Sequence, residues 1–441
     1  MMNTLFFNAH ILTMDDHYTD YSRGWLLVEG ERIAALGDGD YTGSAPIDER
    51  IDCRGGILLP GFINTHCHVS MVPFRTMGDD CPDRLRRFLF PLENEAMTPE
   101  LVYLGAKYGI AEMLLSGTTT FADMYYFEEE VARACLAAGM RGYLGETIIG
   151  QPTCVTPDAP YGSFALAEDM LEKYRGCDLI HPIVAPHGTT TCNADALRRC
   201  HELAVKYDTL MTLHVSEMDY EMQHFADMGM TPMGFLDSIG AADEHLLAAH
   251  CIHLTDTDIE LMKKRGVRVA HCIGSNTKAG KGIAPVKQLT MANVPLGLGT
   301  DGPSSGNTLS MFDQMRLFAV CHKTANRDRS LFPARDIVAI ATRGGAATLR
   351  AQDKLGQLAP GMQADITLVS IDSAHMFPVF NPYSALVYSA NASDVELVMT
   401  SGIIRVRDKQ LTQIDIEKLR TDLTCAMGAF MAAAEKYSDI I

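Results

Sequence analysis

No stretch of this sequence keeps the roughly 20 consecutive apolar residues that a bilayer-spanning helix needs; charged, His or Gly positions interrupt each candidate. Positive charge is also short. Lys and Arg number 37 against 55 Asp and Glu, a formal net charge of -18, so no basic surface is available to neutralise phosphates. That excludes nucleic acid and anionic membranes as partners. A Cys-x-x-Cys pair is missing although there are 12 Cys, and the start Met-Met-Asn-Thr-Leu-Phe-Phe lacks the basic flank and small-residue cleavage site of a secretory signal. A reducing, cytoplasmic setting with free thiols is expected. Solenoid repeats and low-complexity segments are absent as well.

What is present is the balance of a compact folded chain: 47% hydrophobic and 21% charged residues, with 36 Gly and 19 Pro. The 441 residues exceed one ordinary domain but suit an α/β barrel of about 250 residues with an appended module.

Short β-type runs at 4–14, 24–29, 32–36 and 51–57, separated by turn clusters, predict a small antiparallel module at the start of the chain. The pattern returns at 365–371, 395–400 and 403–407, the last two joined by a Ser401-Gly402 turn, so the two ends can complete one sheet. Between them, strand-length apolar runs alternate with helix-length amphipathic segments, the signature of βα units around a buried parallel sheet. Eight strands are placed near 58–62, 118–124, 141–148, 179–186, 210–215, 245–252, 267–272 and 294–299. The expected organisation is an α/β, (β/α)8 TIM-like barrel over residues 58–359 with a small β-sandwich domain built from 1–57 and 360–411. Leu419, Leu423, Met427 and Met431 share one helical face and predict a packing helix within 412–441.

The first barrel strand runs into Leu59-Pro-Gly-Phe-Ile-Asn-Thr-His66-Cys-His68, where two imidazoles two positions apart share one face and can clamp one ion. A bare His-x-His is by itself more often two unrelated histidines. Here, however, later strands also end in groups that bind metal or move protons: His187, His214, Glu217, His250, His271 and Asp301. Barrel active sites are assembled at those strand ends. Buried runs such as Leu210-Met-Thr-Leu-His214 gain nothing structurally from ending repeatedly in a titratable group. His214 supplies a third nitrogen and Asp301 an oxygen, a donor set suited to Zn(II), with Fe(II) or Mn(II) as alternatives. The step from His214 to Glu217 puts a carboxylate beside the ion without making it a ligand, where a proton shuttle belongs. His250 and Asp301 can share the acid and base work. Taken singly, Glu217 also fits a surface ion pair and Asp301 a turn residue; His253 is expected to be structural.

These motifs resemble the amidohydrolase superfamily, and within it the branch of methylthioadenosine/S-adenosylhomocysteine deaminases and triazine chlorohydrolases. The resemblance spans the chain. It rests on the histidine segment above, Ala185-Pro-His187, His214-Val-Ser-Glu217, Ala249-His250-Cys-Ile-His253-Leu, the run from Ser275-Asn276 to Pro285, and Gly299-Thr-Asp301-Gly. It implies one metal on His66, His68, His214 and Asp301, Glu217 as proton shuttle, and His250 near the hydrolytic water. Asp at 301 looks more like the deaminases than like one triazine chlorohydrolase type, which favours ammonia release. Guanine or pterin deamination and triazine dechlorination are the rival enzyme readings, and a non-catalytic barrel the remote one. Pro91-Leu-Glu93 matches the segment whose Glu binds ribose hydroxyls in adenosine-type deaminases, and His187 matches a histidine that contacts substrate there. Relatives in this branch often form homo-oligomers.

Two positions depart from that pattern. Glu146 stands where those enzymes carry an Arg for the homocysteine carboxylate, and a carboxylate there would repel an anion. The cluster Arg84-Leu-Arg86-Arg87 replaces a Trp-bearing loop and is either a solvated helix face or an anion-binding wall.

Overall fold

The structure is a computed structural model that describes residues 2–440. It divides into two compact units. One takes the chain up to Asn64, Ala111–Thr120 and Ser310–Ile414; the other takes Thr65–Ile110, Phe121–Leu309 and the chain from Asp415.

In the first unit, strands from both ends of the chain share one nine-stranded sheet. Its order from one edge is Gln410–Leu411, Ile403–Arg407, Val395–Thr400, Ile366–Val369, Ile57–Pro60, Asn3–Leu12, Asp20–Glu29 and Arg32–Asp38, with Glu49–Asp52 also paired to Asn3–Leu12. The ends meet where Ile366 opposes Pro60 and Val369 opposes Ile57, antiparallel. Phe6, Ile11, Leu26, Leu58, Ile366 and Leu397 fill the core beside it. The expected Ser401-Gly402 turn is present, both residues at positive φ (47° and 74°), which a two-residue hairpin of this kind requires. The N-terminal module is not purely antiparallel as expected: Asn3–Leu12 runs parallel to both Glu49–Asp52 and Ile57–Pro60.

The first expected barrel strand, 58–62, falls across two strands, Ile57–Pro60 in the nine-stranded sheet and Phe62–Cys67 in another. Pro60 has no N–H to continue a ladder. Gly61 follows it because a Cβ there would lie 2.2 Å from the Thr119 side chain. His66 therefore sits inside its strand and His68 just beyond it.

The second unit carries four parallel strands in sequence order, Met211–Val215, Leu246–His250, Arg268–His271 and Leu296–Leu298. A five-stranded sheet joins Phe62–Cys67, Thr118–Tyr125 and Arg141–Ile148 in that order. The run expected at 179–186 splits around its prolines into Ile180–Pro182 and Ala185–Pro186, each parallel to Arg141–Ile148. Thr118–Tyr125 and Leu246–His250 are buried at every residue, as strands covered on both faces must be.

Connecting helices carry their own start and stop signals. In Asp256–Arg265, Thr255 and Asp258 form a reciprocal capping box, Lys263, Lys264 and Arg265 occupy the last turn, and Gly266 closes at φ 75°. The expected C-terminal helix is two, Ile416–Ala426 and Gly428–Ala434. Leu419 and Leu423 are buried, but the break at Met427–Gly428 shifts the periodicity, leaving Met431 48% exposed and burying Phe430 against Phe74, ring centroids 4.8 Å apart. Among the described residues, no helix is long and apolar enough to cross a membrane.

Candidate active site

The strand ends of the second unit converge on a cavity of 490 Å³ lined by His68, His187, His214, Glu217, His250 and Asp301, with Glu93 and Tyr125 on its wall. Parallel strands in register bring their C-terminal residues side by side: His214 is opposite Ala249 and Val215 opposite His250. Several chain exits take left-handed backbone at non-glycine residues, Ser216 (φ 51°), His250 (φ 69°) and Asp301 (φ 59°). Such conformations are costly and gather where side chains must be aimed.

His66, His68 and His214 bring their ring nitrogens within 4.8 Å of one another. Their ring centroids are 4.9 Å (His66–His68), 5.0 Å (His66–His214) and 5.5 Å (His68–His214) apart. Backbone carbonyls fix two of the rings through Nδ1, with His68 on Met124 O at 2.6 Å and His214 on His187 O at 2.5 Å. That leaves Nε2 as the lone-pair nitrogen of each. Asp301 Oδ1 lies 3.3 Å from His68 Nε2, while its Oδ2 accepts from Ser275 Oγ at 2.6 Å and its own N–H donates to His66 O at 3.1 Å.

Electrostatics fit an ion. Burial, then the neighbouring imidazoles, push His66 well below the usual histidine range, and burial likewise lowers His214. Burial opposes ionisation of Asp301, but His68, His250 and His66 outweigh it and hold the carboxyl well below its usual range. Neutral imidazoles beside a carboxylate are the protonation states that a divalent cation binds.

Around this cluster, His250 Nδ1 pairs with Asn276 Oδ1 at 2.8 Å, and its Nε2 faces Glu217 Oε1 at 3.7 Å. Glu221 holds the turn that presents Glu217, accepting from the backbone N–H of Ser216 (3.0 Å) and of Glu217 (2.8 Å). His187 pairs through Nδ1 with Thr191 Oγ1 at 2.9 Å, and its ring lies 4.9 Å from that of His214. Glu93 is buried and accepts from Tyr125 Oη at 2.8 Å; burial pushes its carboxyl up to about 8.

Two expectations are corrected. Glu146 does not face the cavity. It is buried behind it and accepts from the backbone N–H of Phe127 (3.3 Å) and Glu128 (2.8 Å), the start of helix Glu128–Ala138. Its carboxyl is engaged by those two N–H groups rather than presented to a ligand, and burial pushes it up to about 7. Arg84 is no solvated helix face: it lines the cavity, donates to Ser304 O at 2.5 Å and Ser305 Oγ at 3.3 Å, and faces Asp79 at 3.5 Å. Arg86 and Arg87 are exposed, as the solvated-face reading has it, with Arg86 stacked over Tyr220 at 4.2 Å and Arg87 donating to Pro82 O at 3.4 Å. His271 ends its strand buried and outside the cavity lining, and His253 faces Asp219 at 3.6 Å. Tyr125 and Lys281 are lining residues that the strand-end rule did not pick out. Tyr125 does end a buried strand, but its phenol was not counted among the strand-end groups.

A model of the amidohydrolase family matches residues 57–404. A 5-methylthioadenosine/S-adenosylhomocysteine deaminase of Syntrophobacter fumaroxidans is 36% identical over 419 residues, 94% of this chain and 95% of that one. Among solved structures, an adenosine deaminase from Xanthomonas campestris with bound zinc superposes with a TM-score of 0.93 at 30% identity, covering 98% of this chain and 99% of that one. A zinc complex of atrazine chlorohydrolase from Arthrobacter aurescens, at 23% identity and a TM-score of 0.88, covers 96% of this chain and 100% of that one and shares the fold.

Proposed function

The chain belongs to the amidohydrolase family, and from that premise we propose that it is a metal-dependent hydrolytic deaminase that removes the exocyclic amino group of an adenine-type nucleoside as ammonia. It acts on carbon–nitrogen bonds of cyclic amidines. The observation that carries the reading is the meeting of His66, His68, His214 and Asp301 with Glu217 and His250 around one cavity that also holds the buried Glu93. The parallel pairing along 211–298 and the isolated parallel bridges Val184–Met211 and Gly188–His214 support a (β/α)8 barrel over 58–359. In that reading the strands within 2–57 and 360–411 form the small β-sandwich, and helices Ile416–Ala426 and Gly428–Ala434 pack at the end of the chain. Cysteines that are all free support a cytoplasmic setting.

Three imidazoles, two of them pinned through Nδ1, and a carboxylate fit a mononuclear divalent site, Zn(II) first. When bound there, such an ion supplies Lewis-acid activation of water at neutral pH. The chain's own groups divide the proton traffic. Glu217, held ionised beside Lys281, takes one proton of the attacking water and gives it to the ring nitrogen next to the amino-bearing carbon. Asp301 takes the second as the new hydroxyl becomes the carbonyl, and Glu217 relays it to the departing amine, so both carboxylates end as they began. His250 stands against both the nucleophile and Glu217.

Glu93, with its partner Tyr125, and His187 line the cavity, where Glu93 would take the ribose hydroxyls and His187 would contact the same ligand. The three cations on the wall are each engaged with the chain's own acids, Arg84 and Lys278 with Asp79 and Lys281 with Glu217. A free homocysteine carboxylate therefore finds no ready partner, which favours adenosine and methylthioadenosine over S-adenosylhomocysteine. The test is ammonia release by metal-loaded enzyme across these three nucleosides, guanine and a pterin. The expected result is highest kcat/KM for the two uncharged nucleosides; no ammonia from any adenine nucleoside sinks the proposal.

A further inference from the structure

We propose that Lys281 is a positioning residue for the deamination, holding the Glu217 carboxylate in the place from which it transfers protons. The inference rests on the reading of Glu217 as the proton shuttle.

Lys281 Nζ donates to Glu217 Oε1 at 2.6 Å, and both residues line the cavity. The same oxygen faces His250 Nε2 at 3.7 Å, so Oε1 is held between a cation and an imidazole. A Lys carries three or more rotatable bonds, and ordering it is entropically expensive unless the surroundings fix its root. Here they do. The loop after helix Ile273–Lys278 is turned by Gly280 (φ 65°) and Gly282 (φ 124°) on either side of Lys281. A Cβ at 282 would meet Ile252 Cγ2 at 2.9 Å, so the chain passes too close for another residue. The Lys281 N–H donates to Asn276 O at 2.9 Å. Asn276 in turn pairs through Oδ1 with His250 Nδ1 at 2.8 Å. One residue thus anchors both groups that flank the Glu217 oxygen.

This arrangement serves proton transfer better than substrate recognition. A cation whose partner is an acid 2.6 Å away is already engaged. Glu217, by contrast, gains a fixed rotamer: its backbone is held by Glu221 and its side chain by Lys281. A carboxyl that must reach a ring nitrogen and then a departing amine works only within hydrogen-bond range of both, and angular freedom at that point reduces turnover rather than binding.

The experiment compares K281M, K281Q and K281R in metal-loaded enzyme, reading metal content, thermal unfolding, kcat and KM for adenosine or methylthioadenosine. K281M is expected to keep its metal and to lose about 10–100-fold in kcat with KM changed less than about threefold, less than the roughly 10²–10⁴-fold of a general acid–base group itself because Lys281 acts through one. K281R, which keeps a cation beside Oε1, is expected to recover most of that loss. If K281M does not fold, the comparison of K281Q with K281R carries the same expectation, and equal kcat in those two overturns the proposal. Unchanged kcat in K281M, or a rise in KM with kcat retained, overturns it as well. E217Q run in parallel separates the two levels. Normal ammonia release by E217Q removes the shuttle assignment itself, whereas an inactive E217Q beside a fully active K281M removes only the role of Lys281.

Discussion

Replacing Glu93 by Gln tests the cavity wall without disturbing the metal ligands. Glu93 is buried at 4% exposure with one phenolic donor, and burial lifts its carboxyl from the ordinary 4.5 to about 8. The sign follows from linkage. Because the folded state holds this proton more tightly than the unfolded chain, the associated stability is fully present below pH 4.5 and is lost as pH rises through 8. Gln keeps the shape and an acceptor for Tyr125 but has no proton to lose. At 1.36 kcal/mol per pKa unit, E93Q should gain on the wild type by about 4 kcal/mol between pH 5 and pH 9. The assay is denaturant unfolding of both proteins, free of nucleoside, at a series of pH values. Other buried acids such as Glu146 are common to the two proteins and cancel in the difference. Parallel stability–pH curves for the two proteins would refute the reasoning. In catalysis at neutral pH, where Glu93 keeps its proton, the same variant should raise KM for adenosine by about threefold to tenfold, the worth of one neutral hydrogen bond.

Three further outcomes are expected. Substituting His66 and His68 together with Ala should abolish tightly bound metal by elemental analysis, and unchanged stoichiometry would remove the proposed site. E217Q should retain its metal and lose about 10²–10⁴-fold in kcat, as removal of a general acid does; full turnover would reassign the proton transfer to another group. E146L should destabilise the protein by about 1–3 kcal/mol, because the buried N–H of Glu128 and the partly buried N–H of Phe127 at a helix start lose their acceptor. Its KM for adenosine should stay unchanged, and a large change in KM would return Glu146 to the cavity.

The clustering of these histidines and Asp301 was legible because a physical rule links sequence to position. Parallel strands packed in register end at the same level, so a titratable residue closing each apolar run points to a shared site. His66, His68, His214, His250 and Asp301 follow that rule, and so do the strands that carry them. His271 satisfies it equally well and stays outside the cavity, since strand-end position does not settle which side of the backbone a side chain takes.

What the sequence alone determined, then, is that His66, His68, His214, Glu217, His250 and Asp301 gather at neighbouring strand ends and that both chain ends pair in one sheet, all consequences of local periodicity and order along the chain. Tertiary structure alone decided that Glu146 turns back to cap a helix and that Arg84 faces inward. It also decided that Tyr125 meets Glu93 across 32 residues and that Lys281 reaches Glu217 across 64. These contacts depend on loop paths and on long side chains that swing through several ångströms. No spacing in the sequence encodes them, because each is fixed only when the partner's element has been packed beside it.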